Sequence, residues 1–140
     1  MPLRKNAKIE LLKRVPLFSG CSKRELGELA LIADELDLRE GTTLIAEGTP
    51  GREFFVLVEG TVKVTRKGRR LNELGPGSYF GEIALLSDVP RTATVVATSP
   101  LRVLVVNDRG FARLIGRMPS IAVKVLATLA ERVKPDATTA

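Results

Sequence analysis

Apolar residues recur at helical spacing only toward the two ends of the chain, and between them the period falls to two. Ile9, Leu12 and Val15, then Leu26, Leu29, Ile32 and Ala33, lie three or four residues apart, which predicts helix from residue 8 to about 36. Pro16 and Gly20 split that run into two pieces. Ser22, three residues ahead of Glu25, has the form of a capping box at the second piece. From about Glu35 apolar Leu36 and Leu38 alternate with Asp37 and Arg39. Short runs rich in β-branched residues follow at 42–46, 53–58, 61–65, 70–74, 92–98 and 101–106, punctuated by Gly41, Gly48, Gly60, Gly68 and Gly75. Many short strands with no long helix between them predict an antiparallel jelly-roll β-barrel, a double-stranded β-helix, and argue against a parallel sheet. Helical spacing returns after Val106. Asp108 is placed to cap a short helix carrying Phe111, Leu114 and Ile115, and Pro119 suits the first turn of a last helix. Ala122, Val125, Leu126, Leu129 and Val133 lie on one face of that helix, and Pro135 stops it. The expectation is mainly β with flanking helices in one domain over 1–140: helical residues 1–34, a barrel over 35–107 and C-terminal helices over 108–134.

Composition narrows the chemistry. The chain has 140 residues, 44% hydrophobic and 27% charged, enough to bury one core and unlike a disordered segment. Histidine is absent and Cys21 is the single cysteine, so no Ser–His or Cys–His dyad, CxxC pair, internal disulfide or histidine metal cage exists. A cupin-like metal enzyme fails on the same ground, and neither a catalytic nor a metal site is expected. The net charge is +6, concentrated in Arg4, Lys5, Lys8, Lys13 and Arg14 and again in Arg66, Lys67, Arg69 and Arg70 around Gly68. Such runs read as a solvated face and a hairpin tip. Aromatic residues make up only 4%, which leaves no stacking platform, and no nucleic-acid partner is expected. No stretch approaches the roughly 18 apolar residues of a membrane helix, and no signal peptide is visible. Membrane insertion is not expected and a cytoplasmic location is.

The informative stretch runs from Gly75 to Thr94. Gly77 and Gly81 allow tight turns and close approach of the backbone to a ligand. The run Gly81-Glu82-Ile83-Ala84-Leu85-Leu86 reads as the first turn of a short helix inserted between strands, with leading amides that favour an anion. Arg91 follows nine residues after Glu82, just ahead of a strand-like run, and can return to the same pocket. A guanidinium with free backbone amides makes a phosphate site. Glu82 is the odd member beside a phosphate and makes sense as an acceptor for a sugar hydroxyl. A plain ion pair between Glu82 and Arg91 is the bland alternative. The glycine series lacks both a Walker-type Gly-Lys-Ser/Thr and a strand-to-long-helix unit, so it does not read as a kinase or dinucleotide phosphate loop.

Phe80-Gly81-Glu82-Ile83-Ala84-Leu85, followed by Pro90-Arg91-Thr92-Ala93-Thr94, resembles the phosphate-binding cassette of the cyclic nucleotide-binding domain family, here over 77–94. That family includes catabolite activator-type regulators and the regulatory subunits of cyclic nucleotide-dependent kinases. The resemblance covers nearly the whole chain, with Gly48 and Gly60 at the family's turns. It implies that Arg91 pairs with the exocyclic phosphate oxygens and that the backbone at Ile83 and Ala84 donates to the same phosphate. Glu82 would hold the ribose 2′-hydroxyl, Val64 and Leu71 would line the base, and Thr92 would offer a hydroxyl to the phosphate or to a guanine amino group. Family members often set an aromatic or polar side chain of the final helix over the base, and this helix departs from that pattern. It offers Leu129, Arg132 and Val133, the alternatives being a lid with Leu129 and Arg132 over the base, a solvated Arg132, or plain core packing. The implied function is a sensor for cyclic AMP or cyclic GMP, cyclic AMP being favoured, that needs no cofactor. No helix-turn-helix, kinase or channel finds room after Arg132, so the implied output is a separate protein effector or a part of a longer protein. The alternative is a degenerate member that keeps the fold as an interaction module and binds no nucleotide. Neither reading sets an oligomeric state.

Overall fold

The computed structural model describes residues 2–132, apart from the side chain of Arg132. Helices α1 (Lys5–Lys13) and α2 (Lys23–Ile32) flank a 3-10 turn at Pro16–Phe18 and precede the strands. These are β1 (Asp34–Leu38), β2 (Thr43–Ile45), β3 (Glu53–Glu59), β4 (Val62–Arg66), β5 (Arg69–Leu74), β6 (Tyr79–Phe80), β7 (Thr94–Ala97) and β8 (Leu101–Asn107). A second 3-10 turn, Glu82–Leu85, lies between β6 and β7, and α3 (Asp108–Arg117) and α4 (Pro119–Arg132) follow. The strands form two four-stranded sheets in the orders β1-β8-β3-β6 and β2-β7-β4-β5, antiparallel at every pairing. The expected jelly-roll layout is present, but the sheets stay open and do not close into a continuous barrel.

The two longest strands explain the layering. Side chains alternate between the faces of a strand, and both faces of β3 and β8 are buried. Phe54, Val56, Leu104 and Val106 enter one core with Phe18, Leu29 and Phe111 of the helical segments. Phe55, Leu57, Leu101 and Val103 enter the other, between the sheets, with Val62 and Val95. A nearly continuous apolar run is what a strand covered on both sides requires. One core therefore fastens helices to a sheet, and the other joins the sheets around the loops that carry the site.

Helix boundaries shift where local chemistry outweighs periodicity. α2 stops at Ile32 rather than near 36, because Leu36 is claimed by β1 and faces Val103 of β8. The capping box forms as read: Ser22 N–H donates to Glu25 Oε1 at 2.7 Å, and Glu25 N–H donates to Ser22 Oγ at 3.2 Å. The cap of α3 is Asn107, whose Oδ1 accepts from Gly110 N–H at 2.6 Å; Asp108 is the first helical residue instead. α3 continues past Gly116 to Arg117. Pro119 opens α4, while Val133 and Pro135 lie outside the described residues. β7 begins at Thr94, so Thr92 and Ala93 belong to the loop before it. No helix among the described residues is long and apolar enough to cross a membrane.

Candidate functional site

A cavity of about 570 Å³ opens between the second sheet and the loop over residues 81–93. All eight residues read as ligand contacts line it: Gly81, Glu82, Ile83, Ala84, Arg91, Thr92, Val64 and Leu71. They come from three separate stretches of chain. The floor is apolar, with Ile45, Phe80 and Val95 each less than a tenth exposed. Leu71 and Ile83 are 51% and 44% exposed, which fits walls of an open cavity and not core residues.

Two glycines place the arginine. Gly81 has φ 82°, a left-handed conformation that side chains resist, and it turns the chain out of β6 into the 3-10 turn. A Cβ on Gly81 would stand 2.6 Å from Arg91 Nη1, and one on Gly51 would stand 2.7 Å from Arg91 Nε. The guanidinium thus lies in a slot that only bare backbone leaves open. Its Nη2 donates to the Glu53 carbonyl at 2.6 Å and its Nη1 to the Gly81 carbonyl at 3.4 Å. Two of five donors are used, so the rest can meet an anion. The Arg91 backbone is clamped as well, donating to the Thr49 carbonyl at 2.9 Å and accepting from Gly48 N–H at 2.8 Å. Burial pulls the Arg91 pKa down, and the negative charge of Glu53 acts against that. It remains a cation, as arginine does throughout proteins.

The turn after Gly81 is half committed. Ala84 N–H closes onto the Gly81 carbonyl at 3.1 Å, whereas Ile83 N–H has no hydrogen-bond partner among the described residues. Of the two amides implied for phosphate, Ile83 is the open one in this structure. The Glu82 carboxylate makes neither a hydrogen bond nor an ion pair among the described residues. The plain Glu82–Arg91 ion pair is therefore absent, and a half-buried acceptor stands ready. Thr92 is exposed, its hydroxyl has no partner among the described residues, and its carbonyl accepts from Arg66 Nε at 2.9 Å.

The lid residues fare differently. Leu129 does not line the cavity; it packs against the helical core, because α4 lies along the 3-10 turn at Pro16–Phe18 and against α3. The side chain of Arg132 lies outside the described residues. Sequence reasoning missed Gly51, which sat in a Thr-Pro-Gly-Arg string indistinguishable from an ordinary turn. It also missed Asn72, a polar group on the β5 wall that nothing in the local pattern distinguishes. Among the described residues no group of histidine, cysteine, aspartate and glutamate is arranged to hold a metal ion.

The sequence model described as the cyclic nucleotide-binding domain matches residues 35–118. A cAMP-dependent protein kinase regulatory subunit of Mycosarcoma maydis is 41% identical over 124 residues, covering 80% of this chain and 23% of that protein. The chain spans about a quarter of the length of the curated regulatory subunits it matches. The N-terminal domain of a transcriptional regulator from Streptomyces coelicolor A3(2) superposes with a TM-score of 0.84 at 31% identity, covering 93% of this chain and 98% of that one. The regulatory domain of Toxoplasma gondii PKA, solved with cAMP, gives a TM-score of 0.73 at 25% identity, covering 93% of this chain and 49% of that one. The matched span runs from the first sheet through α3 and holds every residue that lines the cavity, so the chain belongs to the cyclic nucleotide-binding domain family.

Proposed function

We propose that this chain is a regulatory sensor that binds a cyclic nucleoside monophosphate in the cavity, cyclic AMP in preference to cyclic GMP, and catalyses nothing itself. The observation that carries the reading is the Arg91 guanidinium held between Gly51 and Gly81 beside an unpaired Glu82 carboxylate. Arg91 meets the exocyclic phosphate oxygens and the Ile83 amide adds a donor. Closing the site also brings in Ala84, once its turn opens. Glu82 accepts from the ribose 2′-hydroxyl, and the base rests on Val64 and Leu71 with Thr92 at its edge. Relatives named as cAMP-dependent regulatory subunits, and one solved with cAMP, support adenine. Ligand binding tightens the cassette, and α3 and α4 transmit the change to a separate effector or to another part of a longer protein. Leu129 and Arg132 reach the base in this scheme only if α4 leaves its place on the helical core.

Calorimetric titration with both nucleotides tests this. Saturable binding with cyclic AMP ahead by roughly 1–2 kcal/mol is the expected result, since an apolar base wall discriminates modestly. Absence of heat with either nucleotide would instead make the chain an interaction module. A cyclic GMP advantage erased by Thr92→Ala would overturn the choice of base alone.

Two further results are expected at the same site. A 2′-deoxy cyclic nucleotide binds about tenfold to a hundredfold more weakly than the parent, the worth of a hydrogen bond to a charged group. That preference shrinks in Glu82→Gln; a protein indifferent to the 2′-hydroxyl removes Glu82 from the sugar. Gly51→Ala pushes a methyl into the Arg91 slot, and the flexible guanidinium gives way while the backbone stays. Affinity then falls by about tenfold or more at a nearly unchanged melting temperature, the loss of one or two charge-assisted contacts. Equal affinity would show that the slot does not set the position of Arg91.

A further inference from the structure

The basic hairpin tip between β4 and β5 supplies none of the ligand contacts proposed above, yet the fold sets it on the cavity rim. Arg66 ends β4, two residues past Val64, and Arg69 and Arg70 open β5 directly before Leu71, so both wall strands run into the tip. At about 3.4 Å per residue, Arg69 lies roughly 7 Å along the strand from Leu71. The tip is also tied to the mouth. Arg66 Nε donates to the carbonyl of Thr92, a lining residue, and Lys67 N–H donates to Glu47 Oε1, each at 2.9 Å. All four cations are exposed, and Glu73, paired with Arg70, is the one acidic side chain that ion-pairs with any of them among the described residues.

The composition of this tip works against its own stability. Arg66 and Arg69 stand directly opposite each other in the ladder, a destabilising like-charge pair. Lys67 holds φ 51° ahead of Gly68 at 77°, in a two-residue turn that asparagine or aspartate ordinarily fills at lower strain. Both Arg69 and Lys67 are solvent-exposed. Local conflicts of this kind concentrate at functional or strained sites.

Resting on the reading of the cavity as a site for an anionic cyclic nucleotide, we propose that this tip is an electrostatic guide that speeds arrival of the anion without contacting it once bound. Arg91 is recessed, and part of its field is cancelled by Glu53. The carboxylates Glu47 and Glu73 at the hairpin and Glu82 in the cavity lining are outnumbered by the four tip cations and Arg91, and a mouth of net positive charge raises the local concentration of an anion.

The test is stopped-flow association of a fluorescently labelled cyclic AMP with the wild type, with Lys67→Gln/Arg69→Gln and with Lys67→Glu/Arg69→Glu, across ionic strength. Arg66 is kept because it braces Thr92. At about 0.01 M salt the association rate constant falls about threefold in the neutral variant and about tenfold in the reversed one. The three proteins converge by about 0.5 M, where screening acts within a few ångströms. Dissociation rates stay equal throughout. Equal association rates at low salt overturn the proposal, and so does a change confined to dissociation, which would make the tip a contact. Salt-sensitive binding of duplex DNA, lost in the reversed variant while nucleotide association is unchanged, assigns the tip to nucleic acid instead. A wild type that binds no cyclic nucleotide at any salt overturns the underlying reading and this proposal with it.

Discussion

Replacing Arg91 with alanine is expected to weaken cyclic nucleotide binding by about 2–5 kcal/mol, roughly thirtyfold to four-thousandfold in Kd. The size follows from the surroundings. The cavity floor is apolar, so a phosphate lodged there without its counter-charge has given up water for nothing. Arg91→Lys recovers only part of the loss, because a single ammonium cannot span the Glu53 and Gly81 carbonyls and still present a two-pronged donor to phosphate. The fold survives both changes. The clamp to Gly48 and Thr49 is made by the Arg91 backbone, which any residue supplies. Titration calorimetry beside a thermal melt checks this, and equal affinity in the wild type and Arg91→Ala would remove the arginine from the site.

Lys124→Met is expected to destabilise the fold by about 2–3 kcal/mol at neutral pH and to flatten its acid dependence. Glu25 is 3% exposed and is shared between two helices. Its Oε1 accepts from Ser22 N–H of its own cap at 2.7 Å and from the Lys124 ammonium of α4, while its Oε2 accepts from Ser120 Oγ at 2.6 Å. Burial pushes this carboxyl up, but the hydrogen bonds from Lys124, Ser120 and Ser22 outweigh it and hold the pKa at about 2, below the ordinary 4.5. Removing the ammonium leaves a buried carboxylate short of its counter-charge. A fully buried pair would cost about 3–5 kcal/mol, and Lys124, 38% exposed, tempers that.

The sign of the pH effect follows from the depressed value. Between pH 4.5 and 2 the unfolded chain takes up this proton and the folded one does not, so stability rises with pH there. The contribution is complete above the unfolded pKa and is lost as pH falls through the folded one. Its ceiling is about 3 kcal/mol at 1.36 kcal/mol per unit. In Lys124→Met the folded pKa climbs and the window narrows. Urea unfolding at several pH values from about 3 to 7 reads both effects; parallel stability curves for the two proteins would refute the coupling.

The capping box shows how far local reading reaches and where it stops. Ser22 and Glu25 are three residues apart, and that spacing alone puts each within reach of the other's amide on a helix end. That the same carboxylate also anchors α4, through residues 95 and 99 positions away, depends on how the helices pack. The cassette divides in the same way. Turn chemistry and residue type within a short window singled out Gly81, Glu82 and Arg91, all three of which line the cavity. Gly51 was not singled out, since its role is to be empty beside a side chain forty residues further along.

The sequence by itself determined the antiparallel jelly-roll layout with helices at both ends, and singled out the stretch from Gly75 to Thr94 that lines much of the cavity. Both are written in periodicities and spacings of a few residues, which the backbone reads directly. Only the tertiary structure decided that the sheets stay open, that β3 and β8 serve two cores at once, and that Leu129 turns to the helical core instead of the cavity. It also decided that Glu82 and Arg91 stand apart, unpaired with each other. Those outcomes depend on which distant surfaces meet, and burial of apolar area, being non-directional, leaves that choice to the packing of the whole chain.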